Sequence, residues 1–123
     1  MPDLSYLRKY TPAIEINLEP GVYVCMGGFG RTYLCSLLYK LRDLERVDSC
    51  TYPPAIPPGE LLDSEKRDLV MLDRYDMYAG FGTEEIARFA ERGIVLVACK
   101  THFPPLRCMS CGVYMRKGRL VVN

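Results

Sequence analysis

Apolar and polar positions alternate first at residues 13–19, AIEINLE, where Ile14, Ile16 and Leu18 are separated by Glu15, Asn17 and Glu19. A period of two predicts a half-buried strand. Pro20-Gly21 punctuates it, and Val22 to Met26 is a short apolar run read as a second strand. Gly27-Gly28-Phe29-Gly30 breaks that run. Leu34, Leu37, Leu38 and Leu41 then recur at helical spacing, which predicts an amphipathic helix from about Arg31 to Leu44.

Residues 49–62 contain four prolines and a glycine, so they read as a stiff loop with a short edge strand near Cys50. Leu69 to Leu72 form a buried strand ending at Asp73. Thr83 is expected to cap a helix through Glu84, Glu85, Ile86, Phe89 and Ala90, with Gly93 stopping it at the C′ position. Ile94 to Ala98 is another buried strand. Val113–Met115 and Leu120–Val122 flank Arg116-Lys117-Gly118-Arg119 and read as a closing hairpin. Continuous apolar strands alternating with helices predict an α/β fold. The expected architecture is one domain over 1–123, a small, mostly parallel sheet with helices on its faces.

Composition adds bounds. At 123 residues, 49% apolar and 25% charged, the chain is an ordinary one-core domain. No apolar run approaches the ~18 residues of a membrane span, and MPDLSYLRKYTP lacks the apolar core of a secretory signal. A cytoplasmic location is therefore expected, and reduced thiols follow from it. The counter-reading is a secreted chain with paired cysteines.

The densest chemistry lies in residues 99–123. Cys99, His102, Cys108 and Cys111 follow a C-x2-H-x5-C-x2-C spacing, and His102 is the only histidine. Cys3His is a common structural zinc set. The expectation is one zinc ion that ties the C-terminal hairpin to the end of the Ile94–Ala98 strand, with Cys25, Cys35 and Cys50 as non-ligands. The alternative is that Cys99 packs as a small apolar residue, His102 is a loop histidine and Cys108-Cys111 are free or oxidised.

Strand, glycine-rich turn, helix is also the arrangement that aims backbone N–H groups at an anion. VYVCMGGFGRTYL resembles the Walker A loop of P-loop NTPases, and DLVMLDRYD resembles a Walker B strand with Asp73 at its end. The resemblance spans residues 22–99. It implies phosphate contacts from Gly28, Gly30, Arg31 and Thr32, with Thr32 and Asp73 serving magnesium. Cys25 stands where the family has its first glycine, and Arg31 stands where it has a lysine, a flat fork in place of a compact charge. The glycines alone would equally serve tight packing of helix on sheet.

Charge is segregated. Residues 100–123 carry five bases and no acid, and residues 60–91 carry nine acids against four bases. Five bases without interleaved exposed aromatics do not indicate specific nucleic-acid binding. Tyr75, Tyr78 and Phe81 beside Asp73, Asp76, Glu84 and Glu85 suit a protein-contact surface, and could equally fold back over the sheet edge.

The chain further resembles small orphan proteins of Firmicutes phages and gut mobile elements. Among these, some type II-A anti-CRISPR proteins are zinc-containing inhibitors that bind an RNA-guided effector nuclease. That resemblance implies a larger protein or ribonucleoprotein partner, action in the host cytoplasm and no catalysis. The sequence thus favours a non-catalytic, zinc-stabilised binding or inhibitor protein. A small P-loop-type nucleotide-binding protein or NTPase is the alternative.

Overall fold

The computed structural model describes residues 3–26, 30–51, 61–62, 65–78, 82–100 and 104–123. Within them the chain forms β1 (Ala13–Ile16), β2 (Gly21–Met26), α1 (Gly30–Leu41), β3 (Val47–Cys50), β4 (Leu69–Leu72), α2 (Thr83–Ala90), β5 (Ile94–Val97), β6 (Met109–Arg116) and β7 (Arg119–Val122). The strands make one seven-stranded sheet in the order β1-β7-β6-β2-β5-β4-β3. Every pairing is parallel except β6 with β7. The expected α/β architecture, mostly parallel sheet and C-terminal hairpin are therefore present.

Strand alternation sorts the core onto two faces. Tyr23, Cys25, Leu69, Met71, Ile94, Leu96 and Val113 meet Leu34, Cys35, Leu38 and Leu41 of α1, with Leu4 and Leu7 closing the layer. Val22, Val70, Leu72, Val95 and Val97 meet Ile86 and Phe89 of α2 on the opposite face. Because β4 and β5 are covered on both sides, they are continuous apolar runs in the sequence.

Several boundaries differ from expectation. β1 stops at Ile16; Leu18 still packs against the core without continuing the strand. α1 ends at Leu41, because Leu44 and Glu45 donate back to the Leu41 carbonyl and turn the chain. Leu44 falls off the buried stripe and is 70% exposed. The edge strand near Cys50 begins at Val47 and buries two polar residues. Asp48 pairs with Arg67 at 3.6 Å, and Ser49 Oγ donates to the Cys35 carbonyl at 2.6 Å. Satisfied polar groups can occupy a buried strand, which is why the sequence marks only its Cys50 end.

The start of α2 differs too. Gly82, in the left-handed region at φ 68°, is the N-cap, no side chain caps the helix, and Thr83 is its first residue. Gly93 does follow α2, and its N–H reaches the Phe89 carbonyl at 2.9 Å. Its role is close approach, since a Cβ there would lie 2.6 Å from Phe89 Cε1 and 2.9 Å from the Asp68 carbonyl oxygen.

Candidate phosphate site at the carboxyl ends of β2, β4 and β5

β2 and β5 are neighbours, yet the chain leaves them toward opposite faces. After β2 it enters α1 on one face. After β5 it runs into a connection whose Cys99, Leu106 and Cys108 pack against the α2 face. In open α/β sheets, such a divergence opens a crevice at the carboxyl ends of the strands.

Arg31, in the first turn of α1, sits at this crevice. Its Nη1 donates to the Cys25 carbonyl at 3.4 Å. Across the crevice, Asp73 follows β4. Its N–H donates to the Cys50 carbonyl at 2.9 Å, and its carboxylate accepts Thr51 Oγ1 at 3.2 Å. The ends of β4 and β5 are bolted together. Ala98 donates to the Leu72 carbonyl, Tyr75 donates to the Ala98 carbonyl, and Asp76 Oδ1 accepts the Lys100 N–H at 2.8 Å. The turn between β4 and Tyr75 places Arg74, a non-glycine residue, at φ 55°, a conformation tolerated where surrounding contacts fix it.

Of the four phosphate-loop residues expected, Gly28 lies outside the described residues. Gly30, Arg31 and Thr32 stand together on the opening turn of α1, with Thr32 exposed and Arg31 half-buried. Gly30 has a packing duty of its own. A Cβ there would lie 2.6 Å from Val113 Cγ1 and 3.1 Å from the Val113 carbonyl oxygen, so glycine lets α1 seat against β6. Gly30→Ala is expected to lower stability on urea unfolding. Overpacking against a β-branched side chain and backbone costs about 1–3 kcal/mol, more than the about 1 kcal/mol that alanine returns in helix propensity. Unchanged or increased stability would show that this contact is not tight.

The expected zinc ligands are distributed across the sheet. His102 lies outside the described residues. Cys99 and Cys108 are half-buried and pack on the α2 face. Cys111 points to the α1 face, where its Sγ is 3.7 Å from Cys25 Sγ. Cys108 immediately precedes β6 and Cys111 lies inside it, so three residues of extended chain separate their thiols onto opposite faces. Both sulfurs of a C-x2-C pair can grip one ion only where the segment forms a turn. Among the described residues no three His, Cys, Asp or Glu side chains gather as a metal ion requires. What joins the hairpin to the sheet is backbone pairing, β6 with β2 and β7 with β1.

The thiols differ in character. Burial pushes Cys99 and Cys108 up, with Asp76 adding to the effect at Cys99. Burial likewise raises Cys35. In the Cys25–Cys111 pair the shared hydrogen bond holds Cys25 protonated and lowers Cys111. Sequence reasoning missed this pair, as it did the Thr51–Asp73 and Lys100–Asp76 contacts, because each depends on strand register.

The expected aromatic contact surface also changes. Tyr75 is 3% exposed and belongs to the core under α2, so it is not an exposed anchor; Phe81 lies outside the described residues, as does the placement of the Tyr78 side chain. Among the described residues no helix is long and apolar enough to cross a membrane.

Comparison with known protein families, with curated proteins and with solved structures finds no match.

Proposed function

We propose that this chain is a small phosphate-recognising α/β domain that binds a nucleotide at the carboxyl ends of β2, β4 and β5 and does not turn it over. The observation that carries this is the position of Gly30, Arg31 and Thr32 on the opening turn of α1. That turn follows β2 where the connections after β2 and β5 part to opposite faces, with Arg31 beside the end of β2 and Asp73 after β4. The N-terminus of α1 favours negative charge there, and a guanidinium suits a phosphate oxygen pair. Asp73, held by Thr51, stands where the Walker B resemblance puts a carboxylate that orients magnesium.

Arg31 replaces the lysine of the resembling family, which removes the compact charge that follows a phosphoryl group through transfer. Binding without hydrolysis is therefore expected. Calorimetric titration with ATP and with pyrophosphate should show saturable binding that weakens at least about tenfold in Arg31→Ala, a loss of about 1.4 kcal/mol, and is largely kept in Arg31→Lys. No saturable binding at millimolar nucleotide, or magnesium-dependent turnover that vanishes in Arg31→Ala, would contradict it.

A second reading is a non-catalytic binding or inhibitor protein acting on a larger basic ribonucleoprotein, such as a CRISPR effector nuclease, in a host cytoplasm. It is favoured by Met77, 55% exposed, close in sequence to Asp76 and to the exposed Glu84 of the acidic stretch. Charge complementarity of that kind speeds association, so Glu84→Lys should slow capture of such a partner. Capture that is unchanged in Glu84→Lys and insensitive to salt would remove the acidic face from the interaction.

Zinc is a separable proposal. On the observed faces, any zinc that co-purifies should depend on Cys99 and Cys108 and not on Cys111. Elemental analysis of Cys108→Ser and Cys111→Ser proteins decides this. Metal lost equally from both would restore the four-ligand set.

A further inference from the structure

Six cysteines lie in the chain, and two of them face each other with no role in the phosphate site. Cys25 is the penultimate residue of β2, and Cys111 is its register partner on β6. Their sulfurs are 3.7 Å apart, and the residues are only 1% and 4% exposed. Neighbouring strands hold paired Cα atoms about 4.8 Å apart, inside the about 4.4–6.8 Å range that disulfides span. The backbone is thus already spaced for a cross-link. Closing the sulfurs to about 2.05 Å starts from 3.7 Å.

We propose that Cys25 and Cys111 form an oxidation site that hydrogen peroxide converts to a disulfide, stapling the end of β2 to β6. The inference stands independently of nucleotide binding.

The oxidant class follows from access. Both thiols are buried, so a bulky disulfide cannot reach them. The next pair in register is open, however: Met26 is 57% exposed and Gly112 opposite it is half-buried. A peroxide needs only a brief local opening there.

The chemistry balances. Cys111 loses its proton to solvent during that opening, and its sulfur attacks one peroxide oxygen. The O–O bond breaks, hydroxide leaves and takes a proton to become water, and Cys111 becomes a sulfenic acid. Cys25 sulfur then attacks Cys111 Sγ. The S–O bond breaks, the departing hydroxide takes the Cys25 proton, and a second water leaves. Two thiols are oxidised to one disulfide, and one peroxide is reduced to two waters. A dithiol reductant reverses the step by exchange.

The remaining cysteines are poorer candidates. Cys35 and Cys50 are buried on opposite faces of the sheet, and Cys35 Sγ is directed at the Cys50 carbonyl at 3.9 Å. Cys99 and Cys108 are more accessible, and both lie outside the strands, so no strand register holds them opposite each other.

The test uses the unmodified chain. Hydrogen peroxide is added in modest excess and the protein is quenched with an alkylating agent. It is then digested without reductant, and the peptides are weighed. The expected result is a Cys25–Cys111 peptide pair lighter by two hydrogens than its separate thiols, abolished by dithiothreitol. Cys35 and Cys50 should be alkylated as free thiols. The cross-linked protein should also melt at a higher temperature than the reduced protein, since the link constrains the unfolded chain. Recovery of Cys25 and Cys111 as separately alkylated thiols, or a Cys99–Cys108 link in their place, would overturn the proposal.

Discussion

Arg67→Met is expected to destabilise the domain by about 3 kcal/mol at neutral pH, the scale on which breaking one side of a buried pair acts. Arg67 is the main counter-charge of Asp48, whose side chain is only 5% exposed. Its Nη1 also reaches the carbonyls of Arg42, Glu45 and Val47, which ends the turn after α1 and starts β3. Methionine fills similar volume, restores none of these bonds and leaves a carboxylate buried.

The deficit should depend on pH. Burial raises the Asp48 carboxyl above its ordinary 3.8, and Arg67 opposes that rise. A carboxyl raised in the native state binds its proton more tightly folded than unfolded. It therefore contributes stability below the unfolded value and loses it as pH climbs through the folded one. Without Arg67 the folded value climbs further, so the variant should be furthest below wild type near pH 7 and recover toward about pH 4. Urea unfolding at both pH values measures this. An equal deficit at each would mean that the lost carbonyl contacts dominate and the Asp48 charge does not.

Phe89→Ala should be at least as damaging, at about 3–5 kcal/mol. Phe89 is 2% exposed and, with Ile86, is the anchor of α2 on its face of the sheet. The Arg92 guanidinium covers the ring at 4.6 Å, and Gly93 is held against it without room for a side chain. Truncation leaves a cavity that this rigid corner cannot fill. Against a typical total of about 5–15 kcal/mol, the variant should unfold at much lower urea, with α2 losing amide protection first. A loss under about 1 kcal/mol would show that α2 docks by other contacts.

The sequence carried the fold class because β4 and β5 are uninterrupted apolar runs and α1 repeats leucine at helical spacing. It placed Arg31 after β2 and Asp73 after β4 because turn punctuation marks where each strand ends. β3 was only half legible, because Asp48 and Ser49 look like loop residues until Arg67 and the Cys35 carbonyl are brought to them. The cysteines were least legible. C-x2-C reads the same in a turn and in a strand, and only β6 pairing with β2 decides that Cys111 faces Cys25. Tyr75 shows the same limit: an aromatic in a charged loop is read as surface, yet its N–H bond to Ala98 folds it under α2.

Amide chemical-shift mapping of the labelled protein during titration with ATP tests phosphate recognition most directly. Binding at the crevice predicts saturable shifts concentrated at Arg31, Thr32, Asp73 and Cys99, absent in Arg31→Ala at the same nucleotide concentration. Shifts that stay within noise at those four residues, or that gather on α2 and Met77, would contradict a phosphate site at the carboxyl ends of β2, β4 and β5.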